Sequence, residues 1–107
     1  MNEYLDYQEK YEKEYGNKTI VLMEVGSFYE IYGIETKKIK KGKVREICEI
    51  LNIQIARKSK NIEEISYKNP YMAGFPNWSK DKYIPVLLKE NYTIVLVEQV
   101  TAPPKPK

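Results

Sequence analysis

Gly26-Ser27-Phe28-Tyr29-Glu30-Ile31 stands where two apolar runs meet, and its reading decides the fold. On one side, Thr19-Ile20-Val21-Leu22-Met23-Glu24-Val25 reads as a buried strand. On the other, Tyr29-Glu30-Ile31-Tyr32-Gly33-Ile34 reads as a second. Gly-Ser between two such runs predicts a hairpin, because glycine enters the positive-φ region without steric cost. Strand side chains alternate faces, so Phe28 and Glu30 point one way and Tyr29 the other. A flat apolar ring beside a carboxylate, at the rim of a sheet in a basic domain, suits a nucleobase. The ring stacks or wedges, and the carboxylate accepts from a donor on the base edge.

Outward from the hairpin the chain alternates between helix and strand periods. Residues 3–15 read as a first helix, with Tyr4, Tyr7, Tyr11 and Tyr15 on one stripe that is expected to face the core. Asn2 is its expected N-cap and Gly16 its stop. The stretch from Thr36 to Gly42 carries Lys37, Lys38, Lys40 and Lys41 and reads as a solvated loop, or as a phosphate contact. Residues 43–52 form a second helix, with Val44, Ile47, Cys48 and Leu51 on its apolar stripe. Ile53 to Lys58 alternates like a half-buried strand and opens a second basic cluster, Arg57, Lys58 and Lys60.

Residues 61–69 are a polar loop. Tyr71 to Phe75 is a short strand ended by Pro76, and Gly74 within it signals close backbone approach. Trp78 reads as a packing anchor first and a nucleotide contact second. A third helix runs over residues 79–91 with Tyr83, Val86, Leu87 and Glu90 on its face. Pro85 either opens that helix or kinks it. Thr93 to Val97 reads as a buried strand. Residues 102–107, Ala-Pro-Pro-Lys-Pro-Lys, read as a linker or tail. These elements predict an α/β fold: a small mixed β-sheet flanked by helices, opening with a helix and a β-hairpin.

Composition narrows the chemistry. The 107 residues suffice for one domain and one modest core, and a hydrophobic content of 42% is globular. No apolar run is long enough to span a membrane, and no signal-peptide pattern is present. The absence of histidine and the lone Cys48, expected in the core, exclude His-dependent triads and cysteine-based zinc sites. No Gly-x-x-x-x-Gly-Lys-Ser/Thr occurs, so no P-loop binds ATP in this chain. The net charge of +3 permits a nucleic-acid partner without demanding one. Lysine outnumbers arginine 16 to 2, which suits phosphate contact without a base code and equally suits an AT-rich genome.

Three function classes remain. A DNA-binding module uses Phe28 and Glu30. A metal-dependent nuclease would need Glu24, Glu30 and Glu98 to converge, but no aspartate sits on a predicted strand and no Glu-x-Lys pair completes the set. A protein-interaction module would use the Pro-rich tail.

The order of motifs resembles the mismatch-recognition domain of the MutS DNA mismatch-repair family. Members open with a helix bearing Gln and Tyr and a strand ending Gly-x-Phe-Tyr-Glu, and Tyr4 to Glu30 reads that way. Met72-Ala73-Gly74-Phe75-Pro76 matches the family's Met-Ala-Gly-hydrophobic-Pro, Tyr83 follows seven residues after the Pro, and Val97-Glu98-Gln99 matches the closing strand. Two departures stand out. Arg57-Lys58-Ser59 keeps the basic pair of the family's Lys-Arg-Gly turn but lacks its glycine. Trp78 stands near a position that often carries histidine.

The resemblance implies that Phe28 wedges beside a mispaired base from the minor-groove side and that Glu30 hydrogen-bonds it. It implies residues 1–101 as the recognition domain and residues 102–107 as a linker to a following domain. The partner is double-stranded DNA with mismatched or unpaired bases, with Lys37, Lys38, Lys40, Lys41, Arg57, Lys58 and Lys60 as backbone contacts. By itself the fragment is expected to be a monomer without enzymatic activity or cofactor. The full-length protein is expected to be an intracellular, DNA-associated dimer using ATP and Mg²⁺ through other domains.

Overall fold

The computed structural model describes residues 3–99. The expected Asn2 cap and the 102–107 linker lie outside the described residues. The hairpin forms where expected: β1 (Thr19–Val25) turns into β2 (Phe28–Glu35), with Val25 paired to Phe28 across the two-residue Gly26-Ser27 loop. Gly26 takes φ +60° at the first central position, where a type II′ turn places its glycine.

Helix α1 (Glu3–Tyr15) precedes the hairpin. After it come β3 (Lys40–Lys41), α2 (Val44–Leu51), β4 (Ala56–Arg57), β5 (Tyr71–Pro76), a 3₁₀ turn (Asn77–Ser79), α3 (Lys80–Lys89) and β6 (Thr93–Val97). The sheet runs β4-β5-β2-β1-β6, with β3 added to the far end of β2. Only β1 and β6 are parallel; the other pairs are antiparallel, so the sheet is mixed as expected.

The backbone accounting of β1 explains α1. Strand β2 pairs with β1 only through Met23, Glu24 and Val25, then continues along β5. The first half of β1 is left with open backbone groups on that side, which must find partners when buried. Buried Gln8 supplies them: its Nε2 donates to Thr19 O at 2.7 Å and its Oε1 accepts from Val21 N at 2.9 Å. The Tyr4 hydroxyl donates to Val21 O at 2.7 Å. The inward line of α1 is therefore Tyr4, Leu5 and Gln8. The four-tyrosine stripe meets the core only in part. Tyr4 is fully buried, Tyr7 and Tyr11 are partly buried and pack against the core's edge while stacking on each other, and Tyr15, stacked on Tyr11, is exposed.

The main core lies between the sheet and the α2/α3 pair. Tyr29 meets Phe75 at 5.9 Å between ring centroids, and Phe75 meets Tyr83 at 4.7 Å. Ile47, Cys48 and Leu87 close the layer. Cys48 is buried as expected, and burial pushes its thiol up to about 11.

Two further expectations change, and the place of Pro85 is decided. The alternating stretch 53–58 contributes only Ala56–Arg57 to the sheet: Asn52 ends α2 in the left-handed conformation, and Ile53 and Ile55 pack on the core without strand partners. Strand β6 is an edge rather than a buried strand, with Leu96 exposed. Pro85 sits inside α3, which starts at Lys80, so it removes the N–H that would bond the carbonyl of Asp81. Only Leu87 of the expected α3 face is fully buried, and Val86 is exposed.

Buried phenols make the fold sensitive to alkali. Burial first, then the Glu98 hydrogen bond, pushes Tyr29 up to about 12. Tyr4, Tyr32 and Tyr92 are also raised, each chiefly by burial. These groups keep protons in the folded state that the unfolded chain loses near pH 10. Their contribution is complete below about pH 10 and is lost as pH rises through the folded values. Thermal unfolding midpoints are expected to hold to about pH 10 and fall steeply toward pH 12; a flat profile to pH 12 would contradict this.

Candidate nucleic-acid interface

Phe28 opens β2 beside the turn and is 42% exposed, whereas its neighbour Tyr29 is 2% exposed. The period-2 alternation accounts for the difference. The register places Glu30 opposite Gly74 and Tyr32 opposite Met72, on the same face as Phe28. An open groove of about 350 Å³ runs over this face. Phe28, Glu30, Met72 and Gly74 line it, and so do Arg57, Lys58 and Lys60. The second basic cluster and the Phe28/Glu30 pair, remote in sequence, thus share one site.

The first basic cluster does not join them. Lys40 and Lys41 pair with Glu35 and Ile34 at the far end of β2, roughly 20 Å from Phe28 at about 3.3 Å per strand residue. Lys37 and Lys38 lie in the exposed loop before them. Lys41 Nζ stands 3.9 Å from Glu9 and 5.8 Å from the Tyr67 ring centroid.

Glycine at position 74 makes the groove possible. A Cβ there would stand 2.5 Å from the Tyr29 carbonyl oxygen and 3.4 Å from Glu30 Cγ. The Glu30 side chain therefore lies over bare backbone, which is the close approach the sequence signals.

The turn that carries Phe28 is braced by polar groups that sequence reasoning assigned elsewhere or missed. Glu24 Oε2 accepts from Asn77 Nδ2 and its Oε1 from the Gln99 backbone N–H, each at 3.1 Å. Gln99 Nε2 donates to Gly26 O at 3.1 Å, and the Asn77 backbone N–H to Ser27 O at 2.7 Å. The Tyr29 hydroxyl donates to Glu98 at 2.9 Å. The strand-ending Glu-Gln pair thus ties β6 to the hairpin tip.

The same geometry corrects the metal-nuclease constellation. Glu24 pairs with Tyr29 and shares its face, on which Glu98 also lies, whereas Glu30 points to the opposite face. Among the described residues no group of three or more His, Cys, Asp or Glu side chains stands ready to hold a metal ion. Among them too, no helix is long and apolar enough to cross a membrane.

Trp78 is corrected as well. It is 72% exposed and anchors nothing, because Asn77 takes the anchoring role and turns the next side chain outward. Asn69 was missed entirely. It is buried and fastens the polar loop through Nδ2 to Ile62 O at 2.8 Å and Glu64 O at 2.9 Å. Its Oδ1 accepts from Ser59 N at 2.6 Å, which fixes the basic turn despite the missing glycine. The Asn69-Pro70 dipeptide was the available signal.

An exposed aromatic ring, a carboxylate and a basic rim thus share one face of this mixed-sheet domain. A family model for MutS domain I matches residues 1–107, and the chain belongs to the MutS family. Domain I is the DNA-binding, mismatch-recognition domain of DNA mismatch repair proteins. A mutS homolog of Acanthamoeba polyphaga mimivirus, named as a DNA mismatch repair protein, is 36% identical over 99 residues, covering 90% of this chain and 8% of its own length. The DNA mismatch repair protein MutS of Streptococcus agalactiae is 31% identical over 105 residues, 98% of this chain and 10% of its own. That of Methanococcoides burtonii is 30% identical over 107 residues, 100% of this chain and 10% of its own. The chain therefore spans 8% to 10% of the length of these relatives.

Proposed function

We propose that this chain recognises mispaired or unpaired bases in double-stranded DNA by inserting Phe28 beside the base and offering Glu30 to its edge. The observation that carries the reading is the exposure of Phe28 on the same face as Glu30, within a groove rimmed by Arg57, Lys58 and Lys60. Wedging a ring between base steps costs a few kcal/mol of unstacking. A mismatch is already weakly stacked, so insertion costs less there, and discrimination comes from deformability rather than a sequence code. The three cations hold the backbone as point charges.

Catalysis is not part of this reading, since the carboxylates a nuclease would need lie on opposite faces. ATP and Mg²⁺ use, and dimerisation, are assigned in this reading to other parts of a MutS-type protein, since no P-loop occurs in these 107 residues.

Glu30 supplies a test. Its carboxylate is repelled by phosphates, and a base donor at the lesion offsets that repulsion. Glu30→Ala is therefore expected to raise affinity for perfect duplex by roughly 2- to 5-fold, the scale of one exposed charge interaction of about 0.5–1 kcal/mol. The ratio of mismatched to matched affinity should fall. Titrations of both duplexes at one fixed salt concentration decide it. An unchanged ratio would remove Glu30 from the recognition site.

A further inference from the structure

Glu30 does not stand free in its groove. The Tyr32 hydroxyl, two residues along the same strand face, donates to Glu30 Oε1. The Tyr32 ring is itself fixed: it lies 5.6 Å, centroid to centroid, from the ring of Tyr4, whose hydroxyl is pinned to the Val21 carbonyl. Beneath the carboxylate is the bare backbone of Gly74, which gives the side chain room but no lateral hold. Tyr32 is thus the hydrogen-bonding side chain the structure gives Glu30.

We propose that Tyr32 is a positioning residue for Glu30: it occupies Oε1 and thereby turns Oε2 toward the base. This inference rests on the proposed recognition role of Glu30 and adds a determinant of its specificity. A carboxylate has several acceptor directions and free rotation about its last bonds. Left alone, it would sample poses that face solvent or phosphate. With one oxygen bound to a phenol, the other is the one turned toward the base, where an N–H donor on the base edge satisfies it. Tyr32 keeps its proton well above neutral pH, chiefly through burial and then through Glu30 itself, so it acts as a donor throughout the working range.

The test is a double-mutant cycle on the complete gene product, reading the affinity ratio of mismatched to matched duplex at fixed salt. Tyr32→Phe keeps the ring against Tyr4 and removes only the hydroxyl. It is expected to lower the ratio by about 3- to 10-fold, the scale of one ordinary net hydrogen bond. In a Glu30→Ala background the same substitution should leave the ratio unchanged, because the group it positions is gone. In a Glu30→Gln background the same substitution should instead raise the ratio, since the phenol holds the amide oxygen and turns Nε2 toward the base donor, and its loss frees the amide to present oxygen there.

A merely structural tyrosine would lower the ratio as much in the Glu30→Ala background as in the parent protein, and that outcome overturns the proposal. So does an unchanged ratio in Tyr32→Phe while Glu30→Ala keeps its effect, which leaves the recognition reading standing. If Glu30→Ala itself has no effect, both readings fall together. Should Tyr32→Phe lower the thermal midpoint, the titrations in both backgrounds are run well below it, where each variant is folded, and the same two outcomes decide it.

Discussion

Replacing Phe28 with alanine is expected to abolish the preference for mismatched over matched duplex and leave the domain folded. Stacking of one base on an aromatic ring is worth about 1–3 kcal/mol, so the loss at the mismatch is roughly 5- to 150-fold in affinity. Perfect duplex, into which the ring is not wedged, loses little. The ring is 42% exposed, and the turn beneath it is held by Asn77, Gln99 and Glu24 rather than by the ring. The stability cost should therefore fall well short of the roughly 3–5 kcal/mol typical of a core phenylalanine. Phe75 is the internal control: it is 3% exposed between Tyr29 and Tyr83, and its alanine variant should show the full core cost. Paired titrations and thermal unfolding of both variants separate the two effects. If Phe28→Ala melts the domain and the surviving folded fraction keeps the original affinity ratio, Phe28 is a core residue and the wedge reading fails.

What could be read in the sequence was what depends on neighbours along the chain. The hairpin was legible because Gly26-Ser27 separates two apolar runs, and the strand alternation then dictated that Phe28 and Glu30 share a face. Gly74 was legible as a close approach for the same local reason. What was illegible depends on pairing across the sheet. Tyr4, Tyr7, Tyr11 and Tyr15 form a helical stripe, but nothing local reveals that β2 leaves β1 after three residue pairs and opens a backbone gap for Gln8. That gap turns α1 so that Tyr4 and Gln8 take the buried line, Tyr7 and Tyr11 pack at the core's edge, and Tyr15 is exposed. Glu24 could be read as a candidate metal ligand because it shares the strands with Glu30 and Glu98, yet its partners, Asn77 and Gln99, are 53 and 75 residues away. Trp78 looked like an anchor on size alone; the backbone bond of Asn77 to Ser27, a pairing across the sheet end, turned it outward. The meeting of Arg57, Lys58 and Lys60 with Phe28 follows from β5 lying between β4 and β2, which no run of residues states.

Gly74→Ala is expected to damage the fold and the site together. The added Cβ would stand 2.5 Å from the Tyr29 carbonyl oxygen, and that atom is backbone that cannot swing aside as a side-chain end can. Relief requires β5 to move away from β2 at the centre of their pairing, between Phe28↔Pro76 and Gly33↔Tyr71. Overpacking of this kind typically costs about 1–3 kcal/mol. For a domain near 100 residues each kcal/mol lowers the midpoint by about 4–8 °C. The same methyl meets Glu30 Cα and Cγ at 3.4 Å, an ordinary contact, so the displacement of the strand and not a direct clash would carry the carboxylate out of line with Tyr32. Mismatch discrimination should therefore fall even below the unfolding midpoint, where the variant is still folded. Gly26→Ala is the contrasting case. Nothing lies within 4 Å of its Cβ, so its cost comes only from the positive φ of the turn and it leaves the β2–β5 spacing intact. Thermal unfolding of the two variants, followed by titration of matched and mismatched duplex well below both midpoints, distinguishes crowding between strands from strain in the turn. A Gly74→Ala protein with an unshifted midpoint would mean that β5 yields freely, and that Gly74 does not set the floor beneath Glu30.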